Sequence, residues 1–185
     1  ENLPRFKDEN PALEKTLADL GVDYLDLYLI HWPVVFTPGV TFPRRGEDYL
    51  PFTIDSCSAT WKALEACKDK GLVRHIGVCN FSVAKLDALC AQASVRPEMN
   101  QIELHPYLQQ QAMLDFCQAR DILVTAYAPL GSGDRPAALK KSDEPTLLDN
   151  PVILKIAEKH RATAAQVLLA WGLGRKTVVI PKSVN

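Results

Sequence analysis

The chain has 185 residues, a formal net charge of −1, 47% hydrophobic and 23% charged residues. That is enough for one domain with a sizeable core. The near-neutral charge offers no basic field for nucleic acid, and the apolar runs are strand-length, too short to cross a bilayer. The first residues, Glu1-Asn2-Leu3-Pro4-Arg5, lack the apolar region of a signal peptide, so a cytoplasmic location is expected.

In chain order, residues 8–20 read as a helix, with Ala12, Leu13, Leu17 and Leu20 at helical spacing, Pro11 in its first turn and Gly21 as its stop. A nearly continuous apolar run over 25–31 follows, the pattern of a parallel strand covered on both faces. Alternation sets Leu27, Leu29 and His31 on one face and Tyr28 and Ile30 on the other. Trp32-Pro33 ends it. Residues 34–54 are expected to be a long ordered loop, with Arg44 and Arg45 forming a solvated charge cluster with Glu47 and Asp48. A helix is expected over 58–70, built on Trp61, Leu64 and Cys67 and closed by Gly71. Strand 73–80 and helix 83–92, capped by Ser82, come next.

Strand 99–103, a helix over about 109–120 and strand 122–127 continue the series. Gly131-Ser132-Gly133-Asp134-Arg135-Pro136 opens a polar loop that ends at Asn150-Pro151, an N-cap followed by a first-turn proline. That helix runs to about Lys159. Thr163 and Gln166 have capping-box spacing for another helix, and a last strand is expected over 177–181. The five cysteines (57, 67, 79, 90 and 117) are odd in number, widely spaced and without a CxxC, which argues against a disulfide framework or a zinc site. Only Cys79 stands where chemistry could reach it.

Strands alternating with helices make the class α/β. No GxGxxG or GxxxxGK[ST] announces a doubly wound sheet, so a parallel (β/α)8 TIM barrel is expected, with this chain as a single but incomplete domain of about five strands. Polar residues stand at or just past each strand exit: His31, Asn80, Gln101 with Glu103, Tyr127 with Ser132, and Lys182 with Ser183. In a barrel such exits gather one site. His31 reads either as a core histidine or as an imidazole that donates to a carbonyl oxygen, its burial keeping it neutral. His105 and His160 read as loop and helix-end residues, and His75 as solvated; nothing suggests a metal. Asn80 and Gln101 read as turn-stabilising amides or as a clamp for a planar carboxamide such as nicotinamide, with Tyr127 offering a face for stacking. Lys182 and Ser183 read as surface residues or as a phosphate site, and Gly131-Ser132-Gly133 as a loop able to approach a pyrophosphate.

These stretches resemble the signatures of the aldo-keto reductases: Tyr24 through Pro33, Gly71 through Phe81, Asn100 through Pro106, Ala126 through Ser132 and Val179 through Val184. The resemblance runs in the family's order over essentially the whole chain and is closest to the aldehyde and aldose reductase branch. It implies a (β/α)8 barrel, of which this chain holds the fourth to eighth strands, and reduction of an aldehyde or ketone by NADPH. By resemblance, His31 orients the carbonyl and Trp32 lines the substrate pocket. Asn80 and Gln101 hold the carboxamide, with Cys79 in place of the branch's usual serine. Tyr127 stacks on the nicotinamide. Leu130 and Ser132 belong to a loop over the pyrophosphate. Lys182, Ser183 and Asn185 lie where the 2′-phosphate is held.

The family's proton-donating tyrosine, with its lysine and aspartate, belongs to the first three strands, expected upstream of Glu1. The 185 residues alone are therefore expected to be inactive. The other reading of the resemblance is a non-catalytic NADPH-binding regulatory or structural protein on the same barrel. A small carbonyl compound as partner, no nucleic acid, no membrane and a monomeric state complete the expectations.

Overall fold

The computed structural model describes residues 11–37, 40, 45–133, 135 and 146–183. Asp8, Arg44, Asp134, Pro136 and Asn185 lie outside them. The chain divides into two compact units, residues 1–100 and 101–185.

In the first unit, α1 (Pro11–Leu20) buries Leu13 and Leu17, one turn apart on one face. It closes at Gly21, whose φ of +66° lets the Val22 N–H reach the Leu17 carbonyl. β1 (Leu25–Ile30) then pairs in parallel with β4 (Val73–Cys79), with Leu27 opposite His75 and Ile30 opposite Val78. Ile30, Ile76 and Val78 are buried, but Leu27 is 36% exposed. The expectation that this strand is covered on both faces therefore fails: apolar sequence marks what a strand can bury, whereas burial needs a second layer against each face.

The region expected to be one loop over 34–54 contains a short antiparallel pair, β2 (Val35–Phe36) with β3 (Tyr49–Leu50), joined through a 3-10 turn at Gly46–Asp48. The Phe36 and Tyr49 rings meet edge-on at 5.6 Å. Arg45 pairs with Glu47 at 3.2 Å on the surface, as the charge pattern predicted for these two residues.

The helix α2 (Ile54–Asp69) starts four residues before its predicted position of 58, because Thr53 accepts the Ser56 N–H as N-cap. Its inward face carries Cys57, Trp61, Leu64 and Cys67, and the Trp61 Nε1–H donates to the Val95 carbonyl at 2.8 Å. Ser82 caps α3 (Val83–Gln92) as expected. Gly77 has no room for a side chain: a Cβ there would lie 2.6 Å from the Met99 carbonyl oxygen and 2.7 Å from Leu29.

β5 (Met99–Glu103) gives its first two residues to the first unit and its last three to the second. In the second unit the order continues through β6 (Leu123–Tyr127) to β7 (Val178–Ile180), and β6 and β7 are parallel, with Tyr127 opposite Ile180. In the chain α4 (Gln111–Gln118) lies between β5 and β6, and α5 (Pro151–His160) and α6 (Ala164–Gly174) lie between β6 and β7. Asn150 caps α5 by accepting the Val152 and Ile153 N–H groups, and Thr163 and Gln166 form the predicted capping box of α6. Leu147, Ile153 and Leu168 form a buried core with Leu130 packed against it. All five long strands thus stand within a residue or two of their predicted bounds.

Candidate functional site

Site residues of the first unit stand at the exits of β1 and β4. Asn80 follows β4 with φ +61°, a left-handed conformation that asparagine tolerates better than most residues. Its Nδ2 donates to the His31 carbonyl at 3.0 Å, which ties the two exits together. One amide hydrogen of Asn80 therefore has a structural task. The His31 and Trp32 rings lie 5.9 Å apart and are tilted by 40°. Both residues are exposed, and Trp32 is 47% accessible. The low-dielectric surroundings expected of His31 are absent among the described residues, because the sheet face to which it belongs is left open. Cys79, read from the sequence as reachable, is buried at 5% exposure, since its strand is packed to its last residue. A cavity of about 510 Å³ borders His31 and Trp32, with Tyr28, Val35, Phe36 and Leu64 in its wall. The segment after Trp32 does line a cavity, one that also takes in Lys15, Thr16 and Asp19 of α1.

Gln101, Tyr127, Leu130, Ser132, Lys182 and Ser183 belong to the second unit. Gln101 and Tyr127 are half-buried, and Leu130 packs on the Leu147 core. The turn after β6 is held in unusual backbone geometry: Ala128, Gly131 and Ser132 have φ of +49°, +86° and +47°. At Gly131 a Cβ would come within 2.9 Å of Leu147, so glycine is required there by both conformation and space. Left-handed residues immediately beyond Cys79 and Tyr127 hold the strand exits in shapes that a plain connection does not need. Lys182 and Ser183 are exposed just beyond β7.

The set of an amide, a phenol ring, hydroxyls and an ammonium group has the chemistry to take a nicotinamide dinucleotide: planar amide recognition, stacking and phosphate neutralisation. Among the described residues no group of three or more His, Cys, Asp or Glu could hold a metal ion.

Two histidines have carboxylate partners that the sequence does not reveal. His105 lies past β5 outside any strand or helix, as expected, but is buried at 6% exposure, with Nε2 3.1 Å from Glu103 Oε1 and a buried Nδ1 that has no hydrogen-bond partner among the described residues. His75, expected to be solvated, is largely exposed but pairs with Glu98 at 2.5 Å, and Lys68 holds the other oxygen of that carboxylate at 2.6 Å. Burial alone would raise the Glu98 carboxyl, but the hydrogen bonds and charges of Lys68 and His75 outweigh it and hold it below its usual value. Glu103 stood out in the sequence only as a polar strand-exit residue beside Gln101; its histidine partner gave no signal, because adjacency in sequence does not reveal burial.

The family profile described as aldo/keto reductase matches residues 8–185. The chain is 60% identical over 175 residues to "Aldo/keto reductase slr0942" of Synechocystis, covering 95% of this chain and 54% of that protein. It is 49% identical over 180 residues to aldo-keto reductase family 1 member A1 of both Pongo abelii and Homo sapiens, covering 97% of this chain and 55% of each. The chain thus spans about half the length of these curated relatives.

Proposed function

The chain belongs to the aldo/keto reductase family, and from that premise we propose that the whole protein reduces an aldehyde or ketone to an alcohol with NADPH. A bound reduced nicotinamide supplies a hydride to a carbonyl carbon. His31 donates a hydrogen bond to the carbonyl oxygen and Trp32 forms an apolar wall beside it. Asn80 offers the carboxamide whatever its bond to the His31 carbonyl leaves available, and Gln101 offers a second amide. Cys79 stands next to Asn80 in the chain, in place of the branch's usual serine, as a weaker hydrogen-bond partner for the carboxamide, and Tyr127 stacks on the ring. Leu130 and Ser132 carry the turn near the pyrophosphate. Lys182, Ser183 and Asn185 favour the 2′-phosphate of NADPH over the free hydroxyl of NADH. The protein acts as a single-domain barrel and a monomer in the cytoplasm, on a small carbonyl substrate.

The supporting observation is the bond from Asn80 to the His31 carbonyl, which sets a carboxamide beside the imidazole-bearing residue at adjoining strand exits. In the full-length protein with NADPH and a panel of aldehydes, turnover is followed through loss of reduced-nicotinamide absorbance. His31→Ala is expected to lower kcat about a hundredfold, the size of effect seen when one oxyanion donor is removed. Lys182→Ala is expected to weaken NADPH about tenfold more than NADH, since only NADPH carries the extra phosphate. Tight NADPH binding without turnover of any carbonyl would favour the regulatory reading; failure to bind either nucleotide would end the proposal.

A further inference from the structure

Glu103 and His105 form a pair to which the proposed function gives no task. Glu103 ends β5 two residues after Gln101, so alternation puts both side chains on one face of the strand. The Leu104 N–H donates to the Tyr127 carbonyl at 3.3 Å, which in a parallel ladder sets Glu103 beside Tyr127. Gln101, Glu103 and Tyr127 thus share one sheet face within the second unit, and the Glu103 side chain is 27% exposed there. The Gln110 Nε2 donates to the Glu103 carbonyl at 3.3 Å, which fixes the end of the strand.

His105 holds the carboxylate by one of its oxygens. Its Nε2 lies 3.1 Å from Glu103 Oε1, and its Nδ1 is buried without a partner among the described residues. A proton on Nδ1 would be a buried, unsatisfied donor; a bare lone pair there costs less. The favoured tautomer therefore carries its proton on Nε2 and donates it to Glu103. Glu103 accepts that bond through Oε1, and its second oxygen is not engaged by His105.

We propose that Glu103, oriented by His105, is the electrostatic partner of the nicotinamide ring, favouring the cationic oxidised form over the neutral reduced one. The inference rests on the cofactor reading above and extends it. Glu103 stabilises the positive charge that the ring acquires when a hydride, with its two electrons, leaves for the carbonyl carbon. The carbonyl π pair then moves to oxygen, which takes a proton from an acidic hydroxyl group or water. His105 is a positioning residue, acting through the carboxylate it holds. A pair that merely locked the end of the strand would affect both cofactor forms alike.

The test is the ratio of dissociation constants for NADP+ and NADPH, read by fluorescence titration of the full-length protein. Glu103→Gln is expected to weaken NADP+ about tenfold while changing NADPH less than about twofold, as expected for loss of one nearby opposite charge. Glu103→Asp, which keeps the charge, should hold the ratio near that of the unsubstituted protein. Should Glu103→Gln not fold, His105→Leu against His105→Gln reads the same quantity: the glutamine retains a donor near the place of Nε2 and the leucine does not, so only the leucine variant should shift the ratio. Equal weakening of both forms, or an unchanged ratio in Glu103→Gln and in His105→Leu, overturns the proposal while leaving the cofactor reading intact. An unsubstituted protein that binds neither nucleotide overturns both.

Discussion

Glu98 shows how one side chain gathers a local network. It accepts from Lys68, 30 residues away in α2, and from His75, 23 residues away in β4. Its carboxyl is held below the ordinary 4.5, so the native state binds a proton less readily there than the unfolded chain does. A lowered carboxyl contributes stability that is fully present above its unfolded value and is lost as pH falls through the native one. Glu98→Gln is therefore expected to reduce stability most above about pH 5, with the gap to the parent protein closing in acid. Denaturant melts at a series of pH values check this; a gap that widens on acidification would contradict it. Cys57 departs in the opposite direction: burial pushes its thiol up to about 11 against a smaller opposing effect of Lys85, so it is a packing residue and not a nucleophile.

At the scale of elements, close approach decides which residues are permitted. β4 can lie against β1 and the start of β5 because Gly77 leaves space for the Met99 carbonyl and for Leu29. Gly77→Ala would force a backbone atom to move, at a cost of about 1–3 kcal/mol, the usual range for overpacking. The thermal midpoint of the full-length protein should fall accordingly, and a variant as stable as the parent would show that the strands can part at no cost. A similar contact recurs in α6, where a Cβ on Gly172 would meet Val179 at 2.6 Å. α6 can thus pack directly on β7, a closeness that a larger residue would prevent.

For the molecule as a whole, the outermost strands matter most. β1 and β7 end the strand order among the described residues. Leu27 of β1 is 36% exposed, and Val178 and Ile180 of β7 are 46% and 45% exposed. Such strand edges and bare apolar side chains favour association of chains over cooperative folding. Residues 1–185 expressed alone are expected to bind a hydrophobic dye, to unfold without a sharp transition and to lack carbonyl reductase activity. A sharp unfolding transition together with NADPH-dependent turnover would refute this.

Local interactions made much of the protein legible from its sequence. Strand-length apolar runs located the strands, while Ser82, Asn150 and Thr163 marked helix starts through bonds to their own neighbours in the chain. The Thr53 cap is equally local, and it starts α2 four residues before the expected 58–70 helix. The positions of His31, Asn80 and Tyr127 at strand exits also followed from the pattern. Tertiary structure alone decided which of these groups are covered. His105 is buried while His31 is open, although each lies just past a strand and both look alike in sequence. Burial depends on what distant segments bring into contact, and Glu98, held by residues from two other elements, depends on it in the same way.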